Sequence, residues 1–325
     1  MIRSTPRGSR RFHLHRVGFA AVAATALCVC AACSSSSGGG SDPSGSSDGS
    51  SASSSTLDVV ASTNVYGDIV ESIAGDHASV TSIISDPDQD PHTYEADAHT
   101  QLELSKADLV IENGGGYDDF VDTMLKSAKS KAPVINAVDL SGFKATAGDD
   151  LNEHVWYDFP TVLTVVDDVV SQLSKLDRAD AADFAANAAA LTTQIQGMQA
   201  TEAAIKAADS GDGVAITEPV PLYMLTACGL DNKTPAGFSK AIEDDTDASA
   251  RDVQGQLDLF SNHEVKALVY NAQTSGPQTD QSVNAANSAN IAVVPVTETL
   301  PDNQHYVGWM TGYLTAIQAA LGQGA

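Results

Sequence analysis

Two sets of short apolar runs, parted by a stretch that contains none, most constrain what this chain can fold into. The first set is Leu57–Ser62, Ser79–Ile84, Asp108–Glu112 and Val134–Val138; the second is Val214–Thr217, Ala267–Tyr270 and Ile291–Val296. None shows the apolar–polar alternation of a sheet with one wet face, so each reads as a strand buried on both faces. Helix-patterned segments lie between them, at Tyr66–Ala74, Thr100–Lys106, Tyr117–Ala128, Ala250–Asn262 and Gln278–Ala289. Strand–helix alternation of this kind implies parallel α/β sheets. From Pro160 to Asp209 no strand-like run occurs, and Leu191, Ile195, Met198 and Ile205 recur at helical spacing. That spacing predicts a long helix over 181–208, ~40 Å at 1.5 Å per residue. The expected fold is α/β: two lobes, 57–180 and 209–325, each a small, mostly parallel sheet flanked by helices, joined by one long rigid helix. Open α/β sheets bind ligands outside the carboxyl ends of their strands, so the ligand site is expected between the lobes.

The N-terminus reads as an address. Arg3, Arg7, Arg10, Arg11 and Arg16 precede the uncharged, small-residue run Val17–Ala32. A basic segment followed by an apolar one is the layout of a signal peptide, here 1–32. The apolar run is shorter than the ~20 residues a spanning helix needs. Cys30-Ala31-Ala32-Cys33 resembles a bacterial lipobox, with Cys where Leu is usual, and makes Cys33 the lipidation candidate. Residues 34–55 are almost entirely Ser, Gly and Asp, a composition that cannot bury a core and serves as a flexible tether, so 33–56 is expected to link a lipid anchor to the folded part. The resulting location is extracytoplasmic, on the outer face of a bacterial cell membrane. Removing 1–32 and acylating Cys33 leaves Cys228 without a disulfide partner, so stability must come from packed cores.

Charge narrows the partners. The chain has 42 Asp plus Glu against 17 Lys plus Arg, a formal net charge of −25. Sequence-independent nucleic-acid binding needs a basic footprint, and a polybasic grip on anionic lipid needs the same. What this surface attracts is cations.

Four residues could hold one. His92 lies in a Pro- and Asp-rich loop, Asp86-Pro87-Asp88-Gln89-Asp90-Pro91-His92, after the second candidate strand. His154 lies in Asn152-Glu153-His154-Val155-Trp156-Tyr157-Asp158, and Glu153 or Asp158 could hold its second nitrogen. Glu218 and Glu298 each follow a buried strand of the second set, positions where two carboxylates would repel unless a cation lay between them. Two imidazoles and two carboxylates suit a divalent transition metal, with imidazole favouring zinc and carboxylate admitting manganese.

Asp90-Pro91-His92-Thr93-Tyr94-Glu95 and Ala107–Gly114 resemble segments of the zinc/manganese-type solute-binding proteins of ABC importers. So do His154 ahead of a long helical region, Thr217-Glu218-Pro219, and Val296–Leu300 before a C-terminal helix with Tyr306 and Trp309. The resemblance spans nearly all of 57–323. It implies two α/β lobes on a rigid helix and one divalent metal, Zn2+ or Mn2+, held as transported ligand by His92, His154, Glu218 and Glu298. Glu298 stands where relatives usually have Asp. The chain has Asn-Glu before His154 where many relatives have Asn-Pro, and it lacks the His- and Asp-rich loop of many zinc-specific members. The implied partners are a membrane ABC permease with its cytoplasmic ATPase, and the protein is expected to be a monomer and not an enzyme. The rival readings are a secreted zinc-dependent hydrolase, with Glu153 as base, and a surface adhesin. His305 is the reserve ligand, Asn152 could adjust the site, and Gly114-Gly115-Gly116 reads as a turn at a strand exit. Histidine ligands must be neutral to bind, so affinity is expected to fall below about pH 6.5.

Overall fold

The computed structural model describes residues 56–86, 94, 97–145 and 151–322. Cys33 and His92 lie outside the described residues, as do the expected signal peptide and nearly all of the expected tether.

The first sheet is built from β1 (Leu57–Thr63), β2 (Ala78–Ile84), β3 (Leu109–Glu112) and β4 (Val134–Asn136), in the order β2-β1-β3-β4 and parallel throughout. The second uses β5 (Gly213–Ile216), β6 (Asp231–Asn232), β7 (Ala267–Asn271) and β8 (Ala292–Val296), in the order β6-β5-β7-β8, again all parallel. The two orders are the same once renumbered within each lobe. Each reverses direction between its first and third strands, the crevice where such sheets receive ligands. Pro295 is accommodated because β8 is an edge strand, where one amide is not needed by a neighbour.

Helices α1 (Asn64–Ala74), α2 (Ala98–Lys106), α3 (Phe120–Ala128) and α4 (Ala137–Ser141) flank the first sheet. The run 134–138 is not one strand: Asn136 accepts a hydrogen bond from Asp139 N at 2.9 Å, and this cap turns the chain into α4. The strand-free stretch holds two helices, α5 (Phe159–Leu176) and α6 (Ala181–Asp209). Asp158 caps α5 by accepting from Thr161 N, and Pro160 enters its first turn, where the missing amide costs nothing.

The buried face of α6 is Phe184, Ala188, Leu191, Ile195, Met198, Glu202 and Ile205. Steps of four and three keep these side chains on one stripe for the full length of the helix. One continuous core packs against that stripe, from Leu57, Ile69 and Ile111 of the first lobe to Val214, Val269 and Leu314 of the second. The start of α6 is clamped to the first lobe by His77, whose Nδ1 meets Asp180 at 2.9 Å and whose Nε2 meets Asp183 at 3.3 Å.

The second lobe continues with α7 (Leu222–Ala227), α8 (Ala236–Glu243), α9 (Ala250–Ser261), α10 (Pro277–Ser288) and α11 (Tyr306–Gly322). Among the described residues no helix is long and apolar enough to cross a membrane. Direct bonds tie the lobes together. Asn64 gives Nδ2 to Leu300 O and takes Leu300 N, while Tyr157 and Tyr306 donate to Thr297 O and Trp156 O.

Candidate metal centre

His154 is placed by the chain just before α5, in a single 3-10 turn that buries Val155, Trp156 and Tyr157. Its ring is fully buried, edge-on to Tyr117 and Trp156 with centroids 5.9 and 5.1 Å away. His154 Nδ1 lies 2.7 Å from Asn152 Oδ1. An amide oxygen can only accept, so Nδ1 carries a proton and Nε2 is the nitrogen left facing the cleft. The sequence pointed to Glu153 or Asp158 for this task. Asp158 is instead spent on capping α5, and the role falls to Asn152, which also donates Nδ2 to Pro219 O at 3.1 Å across the cleft.

His154 Nε2 faces two carboxylates, Glu298 Oε2 at 3.7 Å and Glu243 Oε1 at 3.9 Å. Glu298 leaves the edge of the sheet just past β8. Its backbone is fixed by Gln273, whose Oε1 accepts from Glu298 N and Thr299 N. Asn271, at the end of β7, donates Nδ2 to Glu298 Oε1 at 2.6 Å, and Tyr117 donates its hydroxyl to Glu298 Oε2 at 3.3 Å. Tyr117 is not helical, as its pattern suggested. It follows the triple-glycine turn at the end of β3, held because Asp118 accepts from Asn113 N and Gly114 N, both at 2.7 Å. Gly114 takes a φ of +79° with the Asn136 amide against it, so a Cβ there would collide.

Glu218 leaves β5, 4% exposed. It shares Asn271 with Glu298 as a hydrogen-bond partner, and its Oε2 is buried with no partner. Burial, together with the charges of Glu298 and Glu243, pushes its pKa up to about 8. For His154, burial pulls the pKa down, but Glu298, Glu243 and Glu153 outweigh it and raise it to about 9. The proton therefore competes for this nitrogen well above the pH 6.5 expected from an ordinary histidine.

The structure thus brings His154 and Glu298 within 3.7 Å of each other and sets Glu218 near enough for the Glu298 charge to act on it; His92 lies outside the described residues. His305 is elsewhere: it is 83% exposed in its side chain, with Nδ1 2.5 Å from Asp68 of α1. Asp68 also accepts from Tyr306 N, so this pair fixes the start of α11 and has no part in the site. Glu243 is the residue the sequence reading missed. Glu153, His154 and Glu243 each place one potential ligand atom within 4.8 Å of the others. These acids open onto a cleft of about 620 Å³ walled by Leu151, Asn152, Pro219, Leu222 and Lys240. A pocket of one imidazole and several carboxylates, with an orphaned buried acceptor, fits a divalent cation: it would satisfy Glu218 Oε2 and neutralise the crowded acids.

Comparison with known proteins bears on the fold and the family. The ZnuA family model, described as zinc-uptake complex component A, periplasmic, matches residues 59–320. The manganese-binding lipoprotein MntA of Bacillus subtilis (strain 168) is 28% identical over 235 residues, 70% of this chain and 74% of its own length. The manganese ABC transporter substrate-binding lipoprotein PsaA of Streptococcus pneumoniae is 27% identical over 36% of this chain and 41% of its own. Among solved structures, the periplasmic zinc-binding protein TroA of Treponema pallidum superposes with a TM-score of 0.67 at 21% identity, covering 81% of this chain and 98% of that one. FpvC of Pseudomonas aeruginosa, in complex with Mn2+, gives 0.67 at 22% identity, covering 83% and 100%.

Proposed function

Because the chain belongs to the zinc-uptake complex component A family, we propose that it is the extracytoplasmic solute-binding component of an ABC importer. In this reading it captures one divalent transition metal, zinc or manganese, in the cleft between its lobes and passes it to a membrane permease driven by a cytoplasmic ATPase. What supports the reading is His154 Nε2 facing Glu298 Oε2 at 3.7 Å, with Glu218 buried close enough to feel the Glu298 charge and its Oε2 without a hydrogen-bond partner. His92 is proposed as the second imidazole ligand on the strength of its sequence context. The names of MntA and PsaA support the metal and the transport role.

Cleavage before Cys33 and its lipidation would anchor a monomer to the outer face of the cell membrane through the Ser/Gly tether. The acidic surface raises the local cation concentration around the cleft. The protein acts by binding and release, and no catalytic step is assigned to it. The test is metal analysis of protein purified from its native host, joined to zinc–manganese competition by titration calorimetry. One equivalent of metal, sharply weakened in His154→Ala and Glu298→Ala, is the expected result. Unchanged affinity in both variants would remove the assignment.

A further inference from the structure

We propose that the Tyr223 hydroxyl is a positioning group of this centre, holding from the second lobe the segment that presents His154. The proposal rests on the metal-binding reading above and deepens it. Residues 151–154 belong to no helix or strand, so no regular ladder fixes the backbone that leads into His154. Side chains take its place, one from each lobe. Asn113, just past β3, donates Nδ2 to Glu153 O at 2.9 Å; Tyr223, in α7, donates its hydroxyl to Asn152 O at 2.7 Å. Two consecutive carbonyls are thus gripped from the two lobes. The Tyr223 ring is itself set by Phe143 of the first lobe, stacked on it with centroids 4.7 Å apart and planes at 12°. Burial, with the charges of Asp158 and Glu153, pushes its phenol up to about 12, so it stays a donor across the neutral range.

The effect on the site runs through Asn152, whose amide is engaged at both ends. Its Oδ1 accepts from His154 N at 3.2 Å and faces His154 Nδ1 at 2.7 Å, while Nδ2 donates at 3.1 Å to the carbonyl of Pro219, the residue after Glu218. One side chain therefore sets the imidazole against the strand exit that carries Glu218. Without the Tyr223 bond the Asn152 backbone can tilt, and the amide cannot keep both partners. The ring it orients then meets a metal in a spread of poses, and affinity falls. Tyr223 acts through Asn152 and is not itself a ligand.

The test uses the full mature chain as wild type, Tyr223→Phe, Asn152→Ala and the double variant, each titrated with Zn2+ and with Mn2+ against a competing chelator. Phenylalanine keeps the stack on Phe143 and removes only the hydroxyl. One neutral hydrogen bond is worth about three- to tenfold in an equilibrium constant, so Tyr223→Phe is expected to weaken both metals by about that factor with the apo melting temperature unchanged. In the Asn152→Ala background the same change is expected to cost nothing more, because the group it acts through is gone. Co2+ bound to Tyr223→Phe is expected to show visible bands shifted from those of wild type, as the imidazole meets the ion at a different angle. Wild-type affinity in Tyr223→Phe, an equal loss in both backgrounds, unshifted Co2+ bands, or a fall in apo melting temperature that accompanies the loss would overturn the proposal while leaving the binding reading intact. A wild type that binds neither zinc nor manganese would overturn both.

Discussion

Metal capture by this centre should expel protons, and the number can be worked from the two groups that hold them. With the His154 pKa raised to about 9 and that of Glu218 to about 8, both are protonated at neutral pH in the metal-free protein. At pH 7 the imidazole is about 99% and the carboxyl about 90% protonated, so a metal that takes both displaces about two protons. The apparent affinity should then rise by roughly two log units per pH unit up to about pH 8, and level off above about pH 9. Titration calorimetry at pH 7 in buffers of different ionisation enthalpy reads the number directly. Glu218→Gln copies the neutral carboxyl in shape, so release should fall to about one proton while the apo melting temperature holds. An enthalpy independent of buffer, with affinity flat between pH 6.5 and 8, would refute the reasoning.

Three further outcomes are expected. The apo protein should lose stability as pH rises: the folded-state pKa values of His154, Glu218 and Glu202 all lie above their ordinary values, the latter two at about 8. The His154 contribution is complete below pH 6.5 and is lost on passing through about 9, while those of the carboxyls fade between 4.5 and about 8, so apo melting temperatures should fall from pH 6 to 9, with a loss on the order of several kcal/mol. A flat or rising profile would count against these shifts. Asn152→Ala should cost about ten- to a hundredfold in metal affinity by freeing the His154 ring, with Asn152→Asp retaining the acceptor and much of the affinity. Ile195→Ala, on the buried stripe of α6, should destabilise the protein by about 2–5 kcal/mol. Far-ultraviolet and aromatic signals should still melt together, because both lobes share the core it interrupts.

The parts of the fold most legible in the sequence were those where one physical demand acts alone. Strands buried on both faces must be apolar throughout, which exposed β1, β3, β5 and β7, and the apolar edge strand β8 read the same way; acids just past β5 and β8 led to Glu218 and Glu298. Where two demands compete, the pattern blurred. β6 is only Asp231–Asn232, too short and polar to register. Asn136 serves as both strand end and helix cap, so the run into Val138 read as one element. The residue that orients His154 was sought among carboxylates because metal-bound imidazoles often lean on one. Sequence distance cannot reveal that Asp158 is already engaged at α5. His305 looked close to Glu298 in the chain, yet its partner, Asp68, lies on α1. Glu243 was invisible for a simpler reason: α8 has only Phe238 and Ile242 buried, too few apolar positions to show a period.

That same poverty of contacts bears on how the cleft can move. A wide hinge would have to tear the core that runs unbroken from the first sheet, along α6, into the second. It would also break the paired bonds between Asn64 and Leu300 and the grip of Asp68 on Tyr306. Glu218 and Glu298 hang from strands set in the second sheet, and His154 is wedged between Tyr117 and Trp156, so these three donors are held in place by packed neighbours. Helix α8 stands apart, since Phe238, Ile242 and Ala248 form a small cluster of their own. Exchange of a bound cation therefore asks for no rigid-body parting of the lobes: Glu218 and Glu298 stay where the second sheet puts them, and His154 where its aromatic walls hold it.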